Sequence, residues 1–247
     1  MRLLAAIALL SLAATTGAQA APLERSGQKD RAWSGSVGLG FLQTSGNLES
    51  QSLNGDANVT YERLKWRHKG TLETLFSSER GETTSERYLA SGKSDYKFDE
   101  RRYAFAYLKY EKDHFSGYEY QLTASLGYGA RLLDTAAHTL DLEGGPGFRR
   151  NRLRDSGDQA GQSQDITIGR AALDYLWSIG ETSRFGEELS VEAGDEATIT
   201  KSVTSISTRV AGALATKITY TARHASHVPE GFARTNTETA VTLVYEF

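Results

Sequence analysis

Residues 118–132 read Tyr118-Glu-Tyr-Gln-Leu-Thr-Ala-Ser-Leu-Gly-Tyr-Gly-Ala-Arg-Leu132. Side chains of an extended chain point alternately to opposite faces. Here Tyr118, Tyr120, Leu122, Ala124, Leu126, Tyr128, Ala130 and Leu132 share one face, and Glu119, Gln121, Thr123, Ser125, Gly127, Gly129 and Arg131 the other. The run is longer than the roughly 5 to 6 residues usual in soluble sheets, and it suits a tilted strand that crosses a bilayer.

The same parity recurs on both sides of this stretch. Trp33, Val37, Leu39 and Phe41 oppose Ser34, Ser36, Gly38 and Gly40; Leu53, Ala57, Val59 and Tyr61 oppose Asn54, Asp56, Asn58 and Thr60. Trp66, Leu72 and Phe76 oppose Arg67, Lys69 and Glu73, and the pattern continues through Tyr88–Phe98, Leu140–Phe148 and Ala171–Ile179. Spacing and turn residues give about twelve strands, an even number that brings both chain ends to one side. Long loops are expected at 45–50, 79–84, 113–117, 151–163, 193–201 and 225–234. Short turns are expected at 62–65, 99–101, 134–137, 180–183 and 215–217. Aromatic residues crowd the short turns (Tyr61 with Trp66, Phe98 with Tyr103, Trp177 with Phe185), as rings at a membrane interface would. In Tyr103–Asp113 the aromatic face of Tyr103, Phe105 and Tyr107 runs on into Lys109 and Glu111. A bulge that switches parity, or a charged end above the membrane, would account for that.

Bulk composition hides this architecture. The chain has 247 residues with 39% hydrophobic residues and a mean hydropathy of −0.45, values at which a helical membrane protein is excluded and a soluble one is not. A barrel averages a greasy face with a wet one. Its length fits a single barrel domain. The net charge is −3 and the basic residues are scattered, so no nucleic-acid partner is expected. The absence of cysteine removes disulfides, thiolate metal sites and a lipidated anchor.

Both ends carry motifs. Met1-Arg2, the apolar run Leu3–Ala14 and Ala18-Gln19-Ala20 have the form of a secretory signal peptide. The expected division is signal peptide 1–20, a periplasmic lead-in 21–32, and an outer-membrane barrel 33–247. At the other end Val241, Leu243, Tyr245 and Phe247 share a face and finish the chain. A terminal phenylalanine after alternating hydrophobics resembles the assembly signal read by the barrel-assembly machinery, to which it offers a free edge and a greasy face. The expected fold is thus all-β, an antiparallel transmembrane up-and-down barrel of about twelve strands, monomeric and embedded in outer-membrane lipid. A soluble lipocalin-like barrel with a greasy lumen is the alternative.

With the wet face inward, the lumen would hold Arg67, Lys69, Lys93, Arg131, Arg149, Arg170 and Arg209 against Asp56, Glu73, Asp95, Glu119, Asp141, Glu143, Asp174, Glu188, Glu238 and Glu246. About twelve strands lie between the filled eight-stranded barrels and the open sixteen-stranded ones. The charges would then either line a narrow pore or brace the wall by pairing with each other.

One catalytic constellation is present. His224-Ala225-Ser226 with Glu238 resembles the set of the outer-membrane lipid A deacylases, in which His activates Ser. His224 and Ser226 fall on the lipid-facing phase, however, Glu238 on the inward one, and His227 stands where that family has Asn. Asp155, Asp158 and Asp165, and separately Glu192, Asp195 and Glu196, are loop carboxylates that match no Ca²⁺ loop spacing. His68, His114 and His138 show no paired metal spacing. No cofactor and no enzymatic activity are expected.

Trp33-Ser-Gly-Ser-Val-Gly-Leu-Gly-Phe41, Thr44-Ser-Gly-Asn47, Tyr118-Glu-Tyr with Gly127-Tyr-Gly129, and Thr235-Asn-Thr-Glu-Thr through Leu243-Val-Tyr-Glu-Phe247 are similar to the salt-induced outer-membrane protein family, a domain-of-unknown-function group. Asn236 departs from it, standing where an acidic residue is familiar. The resemblance implies an outer-membrane barrel with a link to salt or osmotic stress, and no catalytic residues.

Overall fold

The computed structural model describes residues 32–44, 50–114, 116–154, 161–228 and 231–247; the expected signal peptide and most of the expected lead-in lie outside them. Twelve strands follow one another: β1 Trp33–Thr44, β2 Ser50–Arg63, β3 Trp66–Glu79, β4 Glu82–Lys97, β5 Arg102–Asp113, β6 Tyr118–Asp134, β7 His138–Leu153, β8 Ser163–Ile179, β9 Ser183–Gly194, β10 Thr198–Ala211, β11 Leu214–Ala225 and β12 Thr235–Glu246. Each pairs antiparallel with its chain neighbours, and β12 returns to β1, closing the barrel. Closure satisfies backbone groups that an open sheet would leave facing hydrocarbon.

The seam is short. β1 is laddered to β2 from Trp33 to Thr44 but to β12 only from Ser36↔Glu246 to Leu39↔Leu243. One rung further, Gly35 and Phe247 exchange backbone hydrogen bonds, each 3.0 Å. A Cβ on Gly35 would stand 2.6 Å from the Phe247 ring, so glycine is what lets the terminal ring lie on the neighbouring strand.

Burial separates the faces as the parity requires. Leu39, Phe41, Leu72, Leu108, Leu126, Val241 and Leu243 all stay exposed on the outside, while Asp95, Thr123 and Arg149 are fully buried on the inside. The greasy face is the outer one, which overturns the lipocalin-like alternative. Rings gather at the end of the barrel that carries the short turns, called here the turn end. Trp33 meets Tyr61 at 4.8 Å, Trp66 meets Tyr96 at 5.1 Å, and Phe98 meets Tyr96 at 5.7 Å. His138 stacks on Trp177 at 5.8 Å.

Three local expectations change. The last short turn lies at Gly212–Ala213 rather than 215–217, because Gly212 takes a φ of +53° and reverses the chain early; Ala215 and Lys217 already pair with Arg209 and Ser207. The second connection at the loop end is a tight turn through Arg80 and Gly81, with φ of +52° and +82°, instead of a loop over 79–84. Neither explanation offered for β5 holds. Its ladders to β4 and β6 run without a register shift; Tyr103 and Phe105 face inward, 4% and 3% exposed, and Ala104, Ala106 and Leu108 face out. Phe98, not Tyr103, therefore belongs to the ring of aromatics.

Candidate functional site in the barrel lumen

The inward rings of β5 are seated on glycines of β6. A Cβ on Gly129 would come within 2.3 Å of the Tyr103 ring, and one on Gly127 within 2.7 Å of the Phe105 ring. Cations from other strands lie over these rings. The guanidinium of Arg67 (β3) is 5.0 Å from the centre of Tyr103, and that of Arg170 (β8) is 4.3 Å from Tyr107. Such stacking is favourable where water is excluded.

Around the rings the charges form a layer toward the turn end. Arg67 Nε donates to Asp95 at 2.7 Å, and its Nη1 lies 3.4 Å from Asp141. Asp141 also accepts two bonds from Arg131, at 2.8 and 3.0 Å. Glu143 accepts from Lys93, from Tyr103 Oη at 2.9 Å and from Arg170 at 3.5 Å. A buried carboxylate needs several such partners to remain ionised.

A second layer crosses the bore. Lys69 (β3) approaches Asp174 (β8) at 3.9 Å, Lys201 (β10) approaches Glu73 (β3) at 3.6 Å, and Arg87 (β4) bonds Glu238 (β12) at 2.7 Å. Lys109 (β5) donates to Glu192 (β9) at 2.8 Å, with Arg149 (β7) 3.5 Å from the same carboxylate. Arg223 (β11) reaches Gln121 (β6) at 2.8 Å and lies 3.9 Å from Glu111 (β5), and β5 and β11 are diametrically opposite in the strand order.

Two polar cavities adjoin the second layer, the smaller of them lined by its residues. One of about 360 Å³ lies beneath the loop-end connections, and one of about 170 Å³ lies between the walls at mid-height; Arg223 and Ile199 line both. A larger concavity of about 990 Å³ is lined mainly by outward residues such as Leu108, Leu126 and Phe148, so it is a dent in the lipid-facing wall and not part of the lumen.

Of the residues singled out from sequence, Arg67, Lys69, Glu73, Lys93, Asp95, Arg131, Asp141, Glu143, Arg170 and Asp174 all face inward and are ion-paired. Arg209 shares their phase and forms no ion pair among the described residues. Glu119 is a correction. A register shift between Tyr118 and Tyr120 turns it outside the wall, where Arg152 binds it at 2.6 Å; the same shift turns Tyr118 inward, against its parity. Glu192 is a second correction, since it belongs to β9 and is buried rather than part of an acidic loop. Asp165 pairs with Arg150 at 2.6 Å, and Asp155 and Asp158 lie outside the described residues. His224, Ser226 and Glu238 are engaged separately: His224 with Thr235 at 2.8 Å, Ser226 with the Thr198 amide at 2.9 Å, and Glu238 with Arg87. Val241, Leu243, Tyr245 and Phe247 line the outer face, 49–58% exposed.

Arg87, Lys109, Glu111, Lys201 and Arg223 were not picked out from the sequence. Lys109 and Glu111 sit on the β5 face whose aromatics made it look lipid-facing, so a signal was present and pointed the other way.

The model of a family described as proteins of unknown function, DUF481, matches residues 37–247. The chain belongs to the DUF481 family. The resemblance to a domain-of-unknown-function group is thereby borne out. YdiY, an uncharacterized protein of Escherichia coli K12, is 26% identical over 214 residues, which cover 85% of this chain and 82% of YdiY. Among solved structures, the NanC porin superimposes with a TM-score of 0.53 at 8% identity, covering 86% of this DUF481 chain and 98% of the porin. An outer membrane channel from Pseudomonas putida F1 gives 0.52 at 12% identity, covering 87% and 95%. At these identities the likeness concerns fold alone, and that fold is the outer-membrane β-barrel.

Proposed function

We propose that this protein is a non-catalytic outer-membrane barrel whose lumen is a narrow polar pore, closed at mid-height by ion pairs. The observation that carries the reading is that Arg223 and Ile199 line both cavities, so two polar spaces adjoin along the bore with the charged Arg223 side chain between them. The short-turn end faces the periplasm, as in other such barrels. The aromatic belt meets outer-membrane lipid, the barrel-assembly machinery reads Val241, Leu243, Tyr245 and Phe247 during insertion, and the chain works as a monomer after export through the periplasm. The resemblance to salt-induced proteins supports a setting in salt or osmotic stress, which growth of a deletion strain across salt concentrations tests.

Purified protein in planar bilayers is expected to give discrete, small conductance steps. A folded preparation silent at all voltages and salt concentrations overturns the pore. A second reading then takes its place, an envelope component with a braced wall, favoured by the pairs that cross the bore from β3 to β8 and from β5 to β9.

A further inference from the structure

We infer that the loop-end cavity binds a small hydroxylated organic anion of about monosaccharide size. Its volume of about 360 Å³ is at the lower end of the range for small-molecule sites. Among the described residues, Arg149, Arg223 and Arg234 line it against a single carboxylate, Glu196.

Two of these arginines are incompletely neutralised from below. Lys109 bonds one oxygen of Glu192 at 2.8 Å, while Arg149 stands 3.5 Å from the other and donates to the neutral Ala197 carbonyl at 3.1 Å. Arg149 is 1% exposed, and its Nε has no hydrogen-bond partner among the described residues. Arg223 stands 3.9 Å from Glu111 and donates instead to a neutral amide oxygen of Gln121. A buried cation without a close counter-charge is unfavourable unless an anion completes it, and a planar guanidinium matches a carboxylate in particular.

The remaining lining selects for hydroxyl groups. Gln121 donates to Asn151 at 2.9 Å, which fixes both amides in the cavity lining, and Asn236 lies on the same wall. Phe232 gives an apolar surface for the C–H face of a sugar-like ring. A neutral sugar would leave the arginines uncompensated, and an amine would meet them with like charge.

The inference deepens the pore reading by naming the solute, and it rests on that reading for entry from the loop end. The test is calorimetric titration of the full-length barrel in detergent with glucuronate, glucose and glucosamine. Glucuronate is expected to bind at least about ten times more tightly than glucose (about 1.4 kcal/mol), and glucosamine not at all. Arg223→Gln should weaken glucuronate by about the same factor while leaving glucose unchanged. Asn236→Asp, at the exposed rim, is a second variant in case the first fails to fold, and it should repel glucuronate alone. Equal binding of glucuronate and glucose, or glucuronate binding unmoved in whichever folded variant is obtained, overturns the site. Binding with silent bilayers keeps the site and removes the pore, and conductance without binding does the reverse.

Discussion

Arg223 of β11 and Gln121 of β6 meet inside the barrel, Nη2 donating to Oε1 at 2.8 Å. Four strands separate them along one wall and six along the other, so the bond spans the bore and forms the floor of one cavity and the roof of the next. Arg223→Ala should join the two cavities. In planar bilayers the variant is expected to show unit conductance several times that of the unaltered protein, and identical steps would mean that the floor lies elsewhere.

The rings of β5 need their glycines. Gly129→Val places methyl groups where the Tyr103 ring now lies, and overpacking of this kind costs about 1–3 kcal/mol. Urea unfolding in lipid vesicles should report that loss, and Tyr103→Ala combined with it should recover part of it, as expected for residues in direct contact.

Glu143 and Asp165 both bind arginine, with unequal consequences. Glu143→Gln leaves Lys93 and Arg170 buried without their shared carboxylate, for which about 3–5 kcal/mol of destabilisation is typical. Asp165→Asn breaks a pair with Arg150 that is about half exposed, and exposed pairs contribute about 0–1 kcal/mol. Comparing the two unfolding midpoints checks the contrast.

At the turn end, Asp99 is held below the usual carboxylate range by the amide of Arg101 and by the side chain of Arg102. A folded-state pKa below the unfolded one means that its contribution is complete above the unfolded value, about 3.9, and fades as pH falls through the folded value. Asp99→Asn should therefore flatten stability against pH in that acidic window alone. NMR titration of the carboxyl gives the same shift directly.

Deleting Phe247 removes two backbone hydrogen bonds to Gly35 and the ring that lies on it. Insertion into vesicles, followed by the shift in gel mobility on folding, should slow several-fold, whereas trimming the lead-in before Trp33 should leave it unchanged.

Most of the wall was legible because a transmembrane strand must obey a period of two over a long run, and Phe247 sets the phase for β12. The places where reading failed have more than one cause. Tyr103, Phe105 and Tyr107 look greasy in isolation, and nothing within β5 announces that Arg67 and Arg170, from β3 and β8, will cover them. Glu119 leaves its phase through a single unpaired residue, which changes no pattern in composition. Lys109 and Glu111 carried the correct phase, yet their aromatic neighbours argued for the opposite face. Partnerships across the bore join residues from 83 to 151 positions apart, so the local pattern names who faces inward and not who meets whom.

The unequal ladders on the two edges of β1 also say how the wall would come apart. With β2 gripping it along its whole length and β12 through only a few rungs beside Gly35, the junction of the chain's two ends is the mechanical weak point. Pulled from a terminus, the cylinder would ravel from that joint, shedding its strands in sequence like knitting while the far wall at β6 and β7 still stood.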